Sequence, residues 1–359
     1  MRRSVATVIP NPAALFADGG EGSAFAFAAS IPERPRYRQT FLALRGPSSV
    51  AVFLVCLAAL LAPAARAGGI TLSPDAAHAL DQIYSGNPDA AISTARNIER
   101  DQPESPVGYL LEGEALWWKT YCAACEIKWG QLDAWKAAKQ PGDDAYFALA
   151  DKAIAFARTQ LAKSDTAEMH LYVALGFALK ARLYSLRDEK RNVARAGVAA
   201  RAECIRALQL DPDMADATAG LGLYNYYVDT LSAIAKMLRF FMGIPGGNKQ
   251  EGIRQMKVGI DRGVFVSVDS GFYLARNLRT FDQRYEEALS ITEPLVARYP
   301  SNPVFQLLAG NLNAELGRNA KASEYFHAVL APPGPDADSD PACAARTHDL
   351  ANSFLASLH

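Results

Sequence analysis

The chain lacks the short motifs that identify common catalytic sites. Its 359 residues contain no H-E-x-x-H, no G-x-S-x-G and no glycine-rich phosphate loop, so nothing in it indicates a zinc protease, an α/β-hydrolase or a P-loop nucleotide enzyme. Its five histidines stand far apart in the sequence. We therefore expect a protein that is not an enzyme and has neither a cofactor nor a catalytic or metal-binding residue set.

The sequence also lacks an excess of positive or of negative residues. Lys and Arg number 37 against 38 Asp and Glu, which gives a formal net charge of −1, and half of the residues are hydrophobic. Nucleic-acid-binding domains carry a basic excess, and disordered chains are poor in hydrophobic residues. The composition therefore predicts a folded protein without a nucleic-acid partner.

Long hydrophobic runs are missing as well. The run VAVFLVCLAALLA at residues 50–62 is shorter than the roughly 20 residues that span a bilayer. It follows Arg45 and precedes Pro63 and a triplet of two alanines around Arg66, which is typical of a cleaved export signal. We predict an N-terminal extension and signal peptide over residues 1–67, cleavage after Ala67, and a periplasmic or secreted product; an uncleaved anchor is the alternative.

From Ile70 onward the pattern is helical. Apolar and small residues recur at i, i+3, i+4 and i+7, and no segment alternates as a strand does. Three segments each contain the end of a predicted helix and a polar turn with proline: ARNIERDQPES, CIRALQLDPDM and TEPLVARYPSN. Proline ends a helix because it lacks the backbone N–H that the next turn would need. A small residue lies twelve positions before each proline, where a second helix would cross the first closely. The sequence therefore predicts an all-α fold with internal repeats.

This spacing resembles the tetratricopeptide repeat, in which antiparallel helix pairs stack into a solenoid. GNPDAA at residues 86–91 resembles the turn between the helices of that repeat. The resemblance implies about six units within residues 68–335, followed by a linker and a C-terminal capping helix in residues 336–359. The units would span residues 72–105, 106–168, 169–214, 215–268, 269–302 and 303–334, with insertions between the helices of the middle three; residues 229–256 resemble a branch that includes inclusion-body-clearance proteins.

The stretch WWKTYCAACEIKWG at residues 117–130 holds a C-x-x-C pair. Redox pairs of this spacing sit at a helix N-terminus, where the helix dipole lowers the thiol pKa, whereas Cys122 and Cys125 come late in a predicted helix. We predict a structural role, either a disulfide between Cys122 and Cys125 or two buried thiols. A redox-active pair and a metal site remain alternatives.

The repeat register assigns a set of side chains to the inner face of the first helices, the surface that such arrays use for binding. Aromatic residues are enriched where interfaces are strongest, which favours the tryptophan and the tyrosine of the set, although core packing is the alternative for each. The predicted partner-binding residues are Glu114, Trp117, Phe177, Lys180 and Tyr226.

We therefore expect an exported scaffold that binds a protein or peptide partner in a groove. Two alternatives follow from other features. The C-x-x-C pair would support a thiol-dependent redox enzyme of the cell envelope, and the apolar segment at residues 231–244 would support a peripheral contact with a membrane surface.

Overall fold

The computed structural model describes residues 69–128, 130–241, 243–331 and 340–358. The predicted extension and signal peptide, residues 1–67, lie outside the described residues. Within the described part the chain is mostly helical, which confirms the all-α prediction at that level. The helices, in chain order, are α1 Pro74–Tyr84, α2 Pro88–Asp101, α3 Pro106–Ala123, α4 Asp143–Leu161, α5 Ala167–Leu186, α6 Lys190–Leu210, α7 Ala215–Thr230, α8 Ala233–Phe241, α9 Lys249–Arg262, α10 Ser267–Asn277, α11 Tyr285–Arg298, α12 Pro303–Glu315, α13 Asn319–Leu330 and α14 Pro341–Ser357.

Helix starts follow from the local sequence. Several helices begin with proline in their first turn, where its missing N–H costs nothing. Ser73, Thr166 and Asn302 each accept a hydrogen bond from a first-turn backbone N–H, which satisfies a group that the helix cannot satisfy itself. The polar turns that contain proline therefore end one helix and begin the next.

A short hairpin is the feature that the sequence pattern did not predict. Strand β1, Cys125–Lys128, pairs antiparallel with β2, Gln131–Ala134. Four residues are too few for alternation to stand out against a helical background. The hairpin lies in the predicted second unit, between α3 and α4.

Neighbouring helices along the chain pack against one another, and the closest crossings use glycine. Helices α7 and α9 meet backbone to backbone: a Cβ on Gly222 would lie 2.8 Å from the carbonyl oxygen of Gly252. Real Cβ atoms do not come this close to a carbonyl oxygen, so the crossing requires glycine at this position.

The regions that are longer than a standard unit contain different structures. Residues 113–153 contain the hairpin, and residues 222–252 contain α8. Residues 176–200 contain no extra element, because α5 and α6 are simply long helices of 20 and 21 residues. The prediction of an insertion between the helices is therefore wrong for this third unit.

The first helices contact the last ones. The side chain of Asn302, which caps α12, donates through Nδ2 to the carbonyl oxygen of Tyr84 at 2.9 Å. The Trp118 ring packs within 5.0 Å of Phe272 and 5.5 Å of Phe305, measured between ring centroids. The buried core therefore joins α1 and α3 to α10 and α12.

The final helix is present as predicted, and it packs on more than its neighbour in sequence. Helix α14 contacts α3, α12 and α13, with Phe354 stacked on Phe326 at 4.8 Å. Among the described residues no helix has both the length and the apolar character that crossing a membrane requires.

Candidate functional site

Glu114 and Trp117, predicted to face a partner, lie in the interior. Their exposed fractions are 4% and 5%. Arg182 Nη1 donates to both carboxylate oxygens of Glu114, at 2.8 and 2.7 Å, and Arg182 Nη2 pairs with Asp269. Trp117 Nε1 donates to the hydroxyl of Tyr273 at 2.8 Å. We call these five residues the central cluster.

The central cluster is an electrostatic unit with two carboxylates and one guanidinium. Burial raises the pKa of Glu114 to about 8; the guanidinium of Arg182 opposes this shift, and the nearby charge of Asp269 adds to it. The guanidinium lies 5.1 Å from the centre of the Tyr273 ring, a cation–π contact. Two atoms of the cluster, Arg182 Nε and Asp269 Oδ1, are buried without a hydrogen-bond partner, so the cluster is tightly packed but not fully satisfied.

Tyr226 is fully buried and belongs to a different set of contacts. Its hydroxyl oxygen lies 2.7 Å from Asp282 Oδ2, to which it donates a hydrogen bond, and 3.1 Å from the carbonyl oxygen of Asn277. Lys249 pairs with the same Asp282 carboxylate. Tyr226 therefore holds α7 against the π-helical turn Leu278–Asp282, and the prediction that it offers its ring to a partner is wrong.

Phe177 and Lys180 lie apart from the central cluster. The Phe177 ring receives the guanidinium of Arg158 at 5.5 Å, and Lys180 Nζ pairs with Asp151 at 2.6 Å. Both partners lie on α4, so these two side chains contribute to the packing of α4 on α5. The five predicted residues therefore do not form one surface.

The hairpin contacts helices that lie far from it in sequence. Arg276 of α10 pairs with Asp133 of β2 at 3.3 Å. Arg279 donates to the carbonyl oxygen of Gly130 in the hairpin turn, and Asn311 Nδ2 of α12 donates to the same oxygen. The hairpin thus packs against α10, the π-helical turn Leu278–Asp282 and α12.

The predicted disulfide between Cys122 and Cys125 is wrong. Cys122 is bonded to Cys343 of α14, 221 residues away in sequence. Cys125 is fully buried and its thiol donates to the carbonyl oxygen of Tyr121. Burial raises the pKa of the Cys125 thiol well above its ordinary value, so its thiolate, the nucleophilic form, is scarce. The C-x-x-C spacing marks two cysteines with separate structural roles.

A cavity of about 290 Å³ lies where the first and last helices meet. We call it the seam cavity. Its walls come from the α1–α2 turn, α3, the α11–α12 turn, the end of α13 and the start of α14, and the Cys122–Cys343 disulfide forms part of them. The lining residues used below are Trp118, Lys119, Asn302, Gln306, Asp340 and Thr347.

Three buried polar residues of this wall are satisfied by the protein. Asn302 donates to Tyr84 and accepts from the first turn of α12. Asp340 accepts from the backbone of Cys343, and the hydroxyl of Thr347 donates to the carbonyl oxygen of Cys343 at 2.8 Å. None of the three requires a ligand.

Two buried side chains of the wall each retain one polar atom without a partner. Trp118 Nε1, a donor, and Gln306 Oε1, an acceptor, have no hydrogen-bond partner, although the residues are only 4% and 6% exposed. Gln306 Nε2 is engaged, since it donates to the carbonyl oxygen of Pro300 at 2.8 Å. Unsatisfied buried polar atoms are costly, and the described core holds others, such as Arg182 Nε and Asp269 Oδ1.

The charge of the seam cavity is balanced around one lysine. Lys119 Nζ lies 2.8 Å from Asp89 and 3.0 Å from Asp340. Burial by itself would lower the pKa of Lys119, but hydrogen bonds to these two carboxylates outweigh it and raise the pKa. The ammonium is therefore charged and already paired with two anions.

Sequence reasoning did not find this site, because its walls come from segments as distant as residues 83–88 and 340–348. Trp118 lies in the stretch that holds the C-x-x-C pair but has no sequence signal of its own, and neither does Gln306. In the part of the chain described by the structure, no group of His, Cys, Asp and Glu side chains is arranged to hold a metal ion. Comparison of the sequence with models of known protein families and with curated proteins returns no match.

Proposed function

We propose that this protein is an exported binding scaffold built as a tetratricopeptide-type array of helix pairs, and that it binds a protein or peptide partner without catalysing a reaction. Support comes from the helical periodicity, the proline turns and the glycine-mediated crossing of α7 and α9. Export is supported by the apolar run before Ala67. The Cys122–Cys343 disulfide suits an oxidising compartment.

The partner binds at the seam cavity rather than in a groove along the inner helix faces. The observation that carries this proposal is the seam cavity itself, about 290 Å³ in volume, whose largely apolar wall also holds a few polar side chains such as Lys119, Ser301 and His348. Binding sites typically combine an apolar wall with a few placed polar groups. The inner faces differ, because Glu114, Arg182 and Asp269 pair with one another in the interior.

A matched pair of variants on α14 tests this location. Ala344 lines the seam cavity, whereas the next residue, Ala345, is exposed and does not line it. Ala344→Phe should fill the cavity and abolish capture of a specific partner from envelope extract, and Ala345→Phe should leave capture intact. Circular dichroism and the melting temperature establish that both variants are folded. Equal capture by both variants would move the binding site away from the seam cavity.

A second candidate, contact with a membrane surface, is favoured by one observation. Met237 and Phe240 of α8 are 54% and 78% exposed and lie three residues apart on the helix. Large exposed apolar side chains on a short helix suit insertion at the boundary between headgroups and acyl chains. Lys236 and Arg239 lie on the same short helix.

Flotation with liposomes tests the membrane candidate. The double variant Met237→Ser, Phe240→Ser should lose any flotation that the unmodified protein shows. Leu210→Ser provides a control, because Leu210 is also exposed but lies at the end of α6. Absence of flotation for the unmodified protein with both neutral and anionic lipid would remove this candidate.

A further inference from the structure

Helix α8 carries the two most exposed large apolar side chains of the described residues. Phe240 and Met237 are 78% and 54% exposed, whereas the next two, Val264 and Leu210, are 42% and 39% exposed and lie on other parts of the chain. Met237 and Phe240 lie three residues apart, so they project from the same side of α8. Surface apolar side chains usually stand singly, so this pair gives α8 an apolar outer side.

The segment that carries α8 has no acidic residue. Residues 231–250 contain Lys236, Arg239 and Lys249 but neither Asp nor Glu. The two lysines form ion pairs with acidic residues outside the segment. Arg239 differs, because no carboxylate of the described residues lies within ion-pair distance of its guanidinium. Its Nη1 donates instead to the carbonyl oxygen of Ile244 at 3.3 Å. The fold therefore leaves the charge of Arg239 without a counter-ion.

A second arginine without a counter-ion lies close to the turn that follows α8. The guanidinium of Arg201, on α6, lies 5.4 Å from the centre of the Tyr224 ring, and the Tyr224 hydroxyl donates to the carbonyl oxygen of Pro245 at 2.8 Å. Burial raises the pKa of Tyr224, and the charges of Arg201 and Arg239 both oppose this shift. In the described part of the chain no acidic side chain pairs with Arg201 either. Two unpaired cations thus lie near one phenol.

An anionic bilayer offers what both features require. A soluble anion such as phosphate would pair with the arginines but would leave Met237 and Phe240 in water. The boundary of a bilayer receives apolar side chains below its headgroups, and long cationic side chains extend from there to the lipid phosphates. Anionic lipids also give the membrane a negative surface that attracts each nearby cation. Exposed apolar side chains beside unpaired arginines therefore favour an anionic lipid surface.

We propose that α8 docks on a bilayer that contains anionic phospholipid, with Met237 and Phe240 inserted below the headgroups and with Arg239 and Arg201 against headgroup phosphates. This inference rests on the membrane candidate described above and specifies its lipid class. The walls of the seam cavity come from other helices, so a partner bound in the seam cavity and a membrane bound at α8 are compatible.

Binding to two kinds of vesicle tests the lipid class. The predicted mature chain, which begins at Gly68, is used with its disulfide formed, because the apolar run at residues 50–62 would itself bind lipid. Co-sedimentation compares vesicles of phosphatidylcholine with vesicles of equal parts phosphatidylcholine and phosphatidylglycerol. Each cation near an anionic surface adds about 5-fold in affinity, so we expect binding about 25-fold tighter to the anionic vesicles. Salt at about 1 M, where the Debye length is about 3 Å, should remove most of this difference.

Arginine variants matched in charge test the headgroup contact. The double variant Arg201→Gln, Arg239→Gln should weaken binding to anionic vesicles about 25-fold and leave binding to neutral vesicles unchanged. The control is Arg298→Gln, Arg318→Gln, which lowers the net charge equally at exposed positions elsewhere on the chain. Circular dichroism and the melting temperature establish that both double variants are folded. Unchanged affinity in the first variant, or an equal loss in the control, would overturn the proposal.

A nitroxide label reports whether α8 enters the membrane. The cysteines of the described chain are either bonded to each other or buried, so labelling is directed to a newly introduced thiol. With Met237→Cys on anionic vesicles, the label should become less accessible to a water-soluble nickel complex and more accessible to oxygen. With Ala345→Cys, at an exposed position on α14, it should show no change, because α14 packs on α3, α12 and α13. Unchanged accessibility at residue 237 would overturn the insertion of α8.

The outcomes separate this inference from the functions proposed above. Equal affinity for neutral and anionic vesicles, lost in Met237→Ser, Phe240→Ser, would overturn the lipid class and leave the membrane candidate in place. Absence of binding to both kinds of vesicle would overturn this inference together with the membrane candidate. Partner capture that depends on Ala344 would support the scaffold proposal in either case, because Ala344 lines the seam cavity.

Discussion

At the scale of single residues, the buried carboxylate of Glu114 makes stability depend on pH. Burial raises its pKa in the folded protein to about 8, above the ordinary value of 4.5. Between these values the folded protein holds a proton that the unfolded chain has released, so the free energy of unfolding falls as pH rises through this window. Below the ordinary pKa of 4.5, the full contribution of Glu114 to the free energy of unfolding is present.

Glu114→Gln should therefore flatten the pH dependence between about pH 5 and pH 8. The amide oxygen still accepts from Arg182, and the side chain no longer ionises. Urea unfolding at several pH values measures the effect, with Glu104→Gln at an exposed loop position as the control. Parallel pH profiles for Glu114→Gln and the unmodified protein would contradict the raised pKa.

Two cysteines provide a second test at this scale. Burial raises the pKa of Cys204 to about 12 and that of Cys125 further still, so neither thiol should react with iodoacetamide at pH 8 in the folded protein. Both should react in urea, while Cys122 and Cys343 should require prior reduction. Mass spectrometry of the chain from Gly68 counts the modified thiols, and fast labelling of Cys125 in the folded state would revive the redox alternative.

At the scale of helices, the crossing of α7 and α9 depends on the missing side chain of Gly222. Gly222→Ala would place a methyl group 2.8 Å from the carbonyl oxygen of Gly252, and overpacking of this kind costs about 1–3 kcal/mol. Gly197→Ala on α6 is the matched control, because a Cβ there meets nothing within 4 Å. It should stabilise the helix by about 0.5–1 kcal/mol. Thermal unfolding compares the two, and equal effects would contradict the close crossing.

At the scale of the whole described region, the disulfide joins α3 to α14 across 221 residues. Closing so long a loop restricts the unfolded chain, for which a chain-entropy account gives about 5 kcal/mol. The double variant Cys122→Ser, Cys343→Ser should lower the free energy of unfolding by about 3–5 kcal/mol. Amide hydrogen exchange should show the first loss of protection in α14, whereas uniform loss across all helices would contradict a local docking role for the bond.

The amino-acid sequence by itself determined the local structure of this protein. Prolines and capping side chains such as Ser73 and Asn302 define helix starts, since these effects involve only neighbouring residues. The i, i+3, i+4 periodicity predicted a helical chain, and the last helix was found from the same signal. The hairpin was missed because its strands are four residues long.

Only the tertiary structure decided which residues meet. The repeat register placed Glu114, Trp117 and Tyr226 on the inner faces of α3 and α7, but whether those faces are open depends on contacts with residues far away in sequence, such as Tyr273 and Asp282. The disulfide partner of Cys122 and the walls of the seam cavity likewise depend on contacts between segments that are distant in sequence. Periodicity reports which side of a helix is apolar, whereas contact between distant segments follows from the packing of the whole chain.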